Sequence, residues 1–380
     1  MMTESFELGP IRPPSEAYSL LIRATVNCPW NKCKFCHIYK GQKFQYRPVA
    51  EIKQDIEAAS AIQDRIKEIS WQSGYGSSGV REAAAGVFNN PSNEASRNVA
   101  LWLYAGGENC FLQDSNTLIM RTAEMAEVIR FLKEKLPSIK RITTYGRSDT
   151  AAKKSVEELI ELKEAGLSRV HIGLESGYDP LLEYMEKGVD AAKHIAGGKK
   201  IVESGISLCE YVLLGLGGET LWREHATHTA RVLNEIDPAF IRFRTLTIKD
   251  GMPLYQEVEN GDFIRATDER IIEEQRLLIE NLNCNANLVS DHITNLFQEI
   301  EGKLPQDKEK MLDIIDRFQA MTPEERIHFR VGRRVGLYTS LEDLRDLRKH
   351  ETVERIISQL RNNGKEVDEK AIYSLMERFI

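Results

Sequence analysis

The sequence predicts an α/β protein with a parallel sheet, on three observations. Between residues 17 and 248, apolar runs alternate with segments of helical periodicity. The runs are apolar enough to be strands buried beneath crossover helices. The strand-to-helix order repeats through six units, which suits a curved or partly closed barrel. An open doubly wound sheet is the alternative, because pattern alone does not give the order of strands.

After a proline-rich lead, "AYSLLIRATVN" (17–27) alternates and is β-branched, so it reads as a buried strand delivering Cys28 at its C-terminal end. The cysteines that follow lie in a loop. "RPVAEIKQDIEAASAIQDRIKEI" (47–69) has apolar residues at helical spacing, with Pro48 near the first turn where a missing N–H costs nothing. A polar Gly/Ser/Asn-rich connection (72–98) leads to "NVALWLYAGGEN" (98–109), which reads as a strand running into a glycine pair. Helix 117–136 precedes strand 139–147, and helix 153–165 precedes strand 167–177. Helix 179–204 precedes strand 206–218, and helix 220–236 precedes strand 239–248. From about residue 255 the pattern is helical, and "TPEER" (322–326) offers a T-x-x-E capping box with Pro at the first helical position. Residues 1–250 are expected to form the core and 251–380 a helical C-terminal extension.

The 380 residues, 42% hydrophobic and 29% charged, suffice for a full core. A net charge of -7 argues against nucleic-acid binding by the whole surface, while leaving room for a local basic patch. The first residues lack a basic region followed by an apolar run, and no stretch approaches the roughly 18 apolar residues of a membrane helix. The expectation is a cytosolic protein with no membrane span. Clustered cysteines in that reducing compartment bind metal or do redox chemistry more often than they form disulfides.

Half of the six cysteines fall within "NCPWNKCKFCHIYKGQKFQYRP" (27–48). Cys28, Cys33 and Cys36 form C-x4-C-x2-C at the top of the first strand, where a βα barrel keeps its chemistry. Three thiolates suit a [4Fe–4S] cluster that keeps one iron open. A zinc site completed by His37 or by a distant cysteine, and plain buried thiols, are the other readings. Cys110, Cys209 and Cys284 are isolated in sequence, so no second cluster is expected.

With Phe35 just before the third cysteine, this loop resembles the cluster loop of radical S-adenosylmethionine (radical SAM) enzymes. It departs by one residue from their commonest spacing, C-x3-C-x2-C. The resemblance covers about residues 20–250 and implies a partial (βα)6 TIM-like barrel. It also implies that the amino nitrogen and carboxylate of SAM fill the open iron. Reductive cleavage of SAM would then give a 5′-deoxyadenosyl radical for hydrogen abstraction. "AGGEN" (105–109) resembles the family's GGE-type motif, whose backbone holds the methionine amino group, which makes Gly106, Gly107 and Glu108 cofactor candidates. "HIGLESG" (171–177) resembles the fourth-strand segment of the coproporphyrinogen-oxidase-like and tRNA-modifying branch, in which the residue matching Glu175 helps bind SAM. Lys187 matches a basic position, usually Arg, that meets the SAM carboxylate. "YVLLGLGGET" (211–220) resembles a fifth-strand "GLPGET"-type motif, with Gly217 where Pro is common and Tyr211 where an acid is frequent.

Arg147, after the third strand, is a further candidate for a cofactor or substrate contact. Arg242 and Arg244 share one face of the sixth strand; facing a barrel interior they would suit an anionic substrate, and facing the helices' polar edges they would not. Asp291 and His292 are further candidate contacts, with an N-cap role for Asp291 as the alternative. Lys32, Lys34, Lys40, Lys43 and Arg47 crowd around the cysteines, with no carboxylate between residues 17 and 50. That patch would dock an acidic flavodoxin or ferredoxin reductant, and an RNA substrate would use the same residues. A haem- or macromolecule-binding relative without turnover, and a zinc-stabilised binding protein, are the competing functions.

Overall fold

The computed structural model describes residues 4–74, 76–362 and 367–376. The chain forms two compact units, each drawn from several segments. The first comprises Met1–Lys32, Ile38–Gly173 and Ala196–Leu208. The second comprises Cys33–His37, Leu174–Ile195 and Cys209–Ile380.

In the first unit β1 (Leu20–Arg23), β2 (Thr25–Val26) and β3 (Gln45–Tyr46) precede β4 (Asn109–Gln113), β5 (Arg141–Gly146) and most of β6 (Leu167–Glu175). The strand order is β1-β4-β5-β6, all parallel, with Leu20 opposite Cys110 and Asn109 opposite Arg141. The helix Val49–Gln72 buries Ile52, Ile56, Ala59, Ile62 and Ile66, a three-and-four spacing that puts one apolar stripe against the core. Antiparallel pairing of β2 with β3 brings Val26 opposite Gln45, so the two ends of the cysteine loop leave one small ribbon.

Two expectations fail here. The connection 72–98 is helical over much of its length, and the run beginning at Asn98 continues a helix instead of forming a strand: the helices are Val80–Asn89 and Glu94–Tyr104. Asn93 caps the second, accepting from the Ser96 amide while Ser96 reaches back to the Asn93 amide. Ala95, Val99 and Trp102 are buried at helical spacing. Gly106 and Gly107 end this helix in a Schellman motif: Gly107 N–H donates to Trp102 O at 2.9 Å and Gly106 N–H to Leu103 O at 3.0 Å, with Gly106 at φ 107°. They precede β4 and sit at its N-terminal end, whereas Cys28 follows the opposite end of the parallel strand beside it.

In the second unit β7 (Ser207–Leu214) runs parallel to β8 (Phe240–Thr245), with Tyr211 opposite Arg242. β9 (Asn287–Val289) lies parallel beside β8, and β10 (Glu301–Lys303) antiparallel beside β9. The extension is mainly helical, yet it contributes these two strands. Three residues each, they carry no period that a sequence reading detects. The expected capping box is present: Thr322 accepts from the Glu325 amide at 3.2 Å, and Glu325 from the Thr322 amide at 2.8 Å. The single helix expected over 179–204 is two, Asp179–Tyr184 and Ala191–Glu203, and Asp179 accepts from the Ala191 amide at 2.7 Å across the break. Parallel strands joined by helices thus make up the α/β, partial-barrel class that the sequence predicts. No helix among the described residues is long and apolar enough to cross a membrane.

Candidate functional site

The cysteine loop is rooted on one buried carboxylate. Asp114, wholly buried just past β4, accepts from the Arg23 guanidinium at 2.9 Å, from the Asn27 backbone amide at 3.1 Å and from the Tyr39 hydroxyl. Asn27 and Tyr39 flank the three cysteines, so a single side chain pins both ends of the loop. Burial, and after it the Asp114 charge, push the Tyr39 hydroxyl pKa far up, which keeps it a donor. Ser115 donates to Asn27 O at 3.0 Å, and Asn27 takes φ 64°, a left-handed conformation that Asn tolerates. Next to Cys28, the Asn31 amide points at its sulfur at 3.4 Å.

In the same unit Arg147 lies over the Trp30 ring at 5.4 Å and donates to Asp149 at 3.0 Å. Its backbone amide donates to Asn116 at 3.0 Å. Trp30, Asn116, Arg147 and Lys154 line a cavity of about 460 Å³.

The segment Cys33–His37 packs within the second unit. Lys34 N–H donates to Met185 O at 3.0 Å, and Lys34 O accepts from the Leu254 amide at 3.1 Å. The Lys34 ammonium pairs with Glu257 at 2.7 Å and lies 4.3 Å from the Tyr184 ring centroid. Phe35 packs on an apolar cluster that includes Leu181, Met185 and Leu216. Lys187 sits 5.8 Å from the Phe35 ring centroid and pairs with Glu175 at 3.1 Å. Glu175, at φ 63°, holds a backbone conformation that costs a non-glycine residue about 1–2 kcal/mol. Such outliers persist where the surroundings over-determine them, and functional sites are where they concentrate.

Glu210 of β7 escaped the sequence reading. It is wholly buried, and its two carboxyl oxygens have no hydrogen-bond partner among the described residues. Burial pushes its pKa far up, Lys187 opposes this and Glu175 adds to it, which favours the protonated acid. Further along β7 and β8, Asp291 bridges Arg242 and Arg244, the latter at 3.3 Å, and Arg244 stacks on Tyr211 at 4.7 Å. Arg242 Nε and Arg244 Nη2 have no acceptor. His292 is driven down to about 4 by burial, and next by Arg244.

Residues 22–230 match the radical SAM superfamily. The chain belongs to that superfamily. Its cofactors are those of the radical SAM enzymes, a [4Fe–4S] cluster and SAM. An uncharacterized protein of Methanocaldococcus jannaschii is 29% identical over 124 residues, 32% of this chain and 38% of that one. The tRNA uridine(34) acetyltransferase of Methanocaldococcus infernus is 21% identical over 128 residues, 33% of this chain and 23% of that one. The match thus spans well under half the length of either curated relative. Among solved structures, an archaeal Elp3 of Methanocaldococcus infernus lacking its N-terminus is similar with a TM-score of 0.44 and 13% identity, covering 62% of this chain and 61% of that. Methylornithine synthase (PylB) is similar with a TM-score of 0.42 and 15% identity, covering 80% and 82%.

The residues present fit a radical SAM cluster in the chemistry of their donors. None of the six cysteines is in a disulfide; Cys28 and Cys36 are partly accessible, and a backbone N–H faces the Cys28 sulfur at 3.4 Å. Cys110 and Cys284 are different, since burial raises both thiols. Phe35, Glu175 and Lys187 are brought together, and Arg147 lies over Trp30 two residues past Cys28. Gly106, Gly107 and Glu108 are not part of this arrangement: they cap a helix at the far end of β4, and Glu108 pairs with Lys140 at 2.5 Å. The position expected of the GGE-type motif, just past the second strand of the parallel order, is held by Asp114, Ser115 and Asn116. The signal for them is the apolar run "CFL" (110–112) followed by polar "QDSN" (113–116).

Proposed function

We propose that Cys28, Cys33 and Cys36 hold the cluster, that Glu175 and Lys187 bind SAM, and that the substrate is a small anionic molecule. When bound, the cluster supplies the electron that splits the SAM sulfonium, giving a 5′-deoxyadenosyl radical for hydrogen abstraction. The observation that carries this reading is the Lys187–Glu175 pair beside Phe35, the residue before the third cysteine. SAM presents a carboxylate, an ammonium and a ribose diol, and a lysine and a glutamate paired with each other at 3.1 Å complement those groups. Phe35 covers the aliphatic and cationic end of Lys187 and limits the positions it can take.

Supporting the anionic substrate, Arg242 and Arg244 offer guanidinium donors that Asp291 leaves unused. RNA is disfavoured: of the five basic residues around the loop, Lys34 and Arg47 are ion-paired, to Glu257 and Asp55. The test is anaerobic reconstitution. The parent should bind about four irons per chain and cleave SAM under dithionite. Alanine at Cys28, Cys33 or Cys36 should abolish the iron and leave the fold. A cluster that assembles without any one of these thiols removes it from the ligand set.

A further inference from the structure

Outside the barrel residues, two helices of the extension bring three metal-ligating side chains together. His328 lies on Pro323–Arg334, and His350 and Glu354 on Leu347–Asn362. One ligand atom from each lies within 4.8 Å of the other two. His350 and Glu354 stand four residues apart, so one helix face presents both. The two imidazole rings are stacked, with centroids 4.0 Å apart and planes at 20°.

His328 shows what the cluster lacks. Its Nδ1 is bonded to the hydroxyl of fully buried Tyr338 at 3.2 Å, which leaves Nε2 as the second nitrogen. The residue is 4% exposed, and Nε2 has no hydrogen-bond partner. An unsatisfied buried polar atom is costly, and here it faces Glu354 Oε1 at 3.5 Å. With Tyr338 accepting from Nδ1–H, a nitrogen lone pair and a carboxylate oxygen face each other, an arrangement that a cation between them turns from repulsive to attractive. The other tautomer would aim an N–H at Glu354 across a gap longer than a hydrogen bond.

We propose that His328 through Nε2, His350 and Glu354 bind a divalent cation of the zinc type, clipping the two helices together. Two imidazoles and a carboxylate are a recognised zinc ligand set, with water completing the tetrahedron. Tyr338 fixes the His328 tautomer, as partners of metal-bound histidines do. His350 is half-buried, and it must turn out of the stack so that its lone pair meets the ion; its position toward solvent permits that. No ionisable group of the proposed SAM site belongs to the cluster, so the ion is separate from the SAM chemistry.

The experiment uses the reconstituted holoprotein, stripped of loosely held metal and titrated anaerobically with zinc against a chromophoric chelator, with iron measured in parallel. The expected result is one tightly held zinc per chain and a higher unfolding temperature with zinc than without. His350→Ala and Glu354→Gln, both at accessible positions, should weaken zinc binding on the order of tenfold or more while iron content and SAM cleavage stay at parental values. A full-length chain with Cys28, Cys33 and Cys36 all replaced by Ala should still take up one zinc, which separates this site from zinc captured by the cluster thiols. Zinc held equally by His350→Ala, zinc lost with the three cysteines, or no zinc retained by the parent against the chelator would each overturn the assignment.

Discussion

Asp114 has no charge-neutral substitute. Its carboxylate faces Arg23, itself nearly buried, and with that partner removed Arg23 keeps only the exposed Glu7 carboxylate, so the loss approaches but does not exceed the about 3–5 kcal/mol of a broken buried pair. Asp114→Asn should therefore lower unfolding free energy by roughly that amount and, because Asn27 and Tyr39 hang on the same side chain, reduce iron retained per chain after desalting. Unchanged iron would separate the loop root from the cluster. A second pair of variants decides between the two glycine-and-acid motifs of the sequence. Gly106→Ala places a Cβ at φ 107°, which should cost about 1 kcal/mol in stability and leave SAM affinity alone. Glu175→Gln should do the reverse, weakening SAM binding at unchanged iron content; equal affinity in parent and variant would take Glu175 out of the site. Cys28, Cys33, Cys36 and Glu175, proposed for the site, were open to a sequence reading because each belongs to a short linear pattern, and Lys187 through its spacing from Glu175. Asp114 was not, since Arg23 and Tyr39 lie 91 and 75 residues away in sequence.

At the scale of elements, β5 to β8 and their helices were readable from apolar runs and helical spacing. "NVALWLY" (98–104) was not, because a short apolar run fits a buried strand and a buried helix equally well. The Asn93–Ser96 cap just before it would have decided the matter. The turn after β7 carries the next expectation. Gly215 N–H donates to Glu274 at 2.9 Å, and Glu274 lies 3.4 Å from His225, whose Nε2–H donates to Leu213 O at 3.2 Å. Burial pushes Glu274 up to about 8 and His225 down to about 4. Folding therefore retains a proton on Glu274 between its unfolded value near 4.5 and about 8, and stability falls as pH rises through that window. His225 acts oppositely, with stability rising from about 4 to its unfolded 6.5, so the two offset each other at acidic pH. Between pH 6.5 and 8 His225 no longer opposes the decline, buried Glu210 acts in the same direction as Glu274, and in urea unfolding Glu274 should contribute a decline of at most about 1.4 kcal/mol per pH unit. Glu274→Gln should flatten that decline. A parental curve that is flat or rising over the window would show that Glu274 ionises freely in the fold.

Across the whole molecule, charge is distributed against its own average. The chain carries a net -7, yet residues 17–50 hold no carboxylate. Ion pairs reduce the basic patch that the sequence suggests: Lys34 is neutralised by Glu257 and Arg47 by Asp55, and the Lys40 ammonium is committed to Asn31 O at 3.0 Å. Lys32 and Lys43 are the exposed cations left, with Lys32 resting 5.0 Å from the Trp30 ring centroid. A radical SAM enzyme needs an electron donor, and an acidic flavodoxin or ferredoxin would gain from those two charges only near contact, since the Debye length is about 8 Å at physiological salt. Charge reversal at Lys32 and Lys43 together is the cleaner probe, because reversing Lys40 would also disturb the loop. The double variant should slow flavodoxin-driven SAM cleavage by about tenfold or more at low salt, with the difference shrinking as salt is added. Dithionite, a small reductant that needs no docking surface, should drive parent and variant equally. If both reductants slow together, the two lysines serve SAM, substrate or the loop itself, and the reductant docks elsewhere.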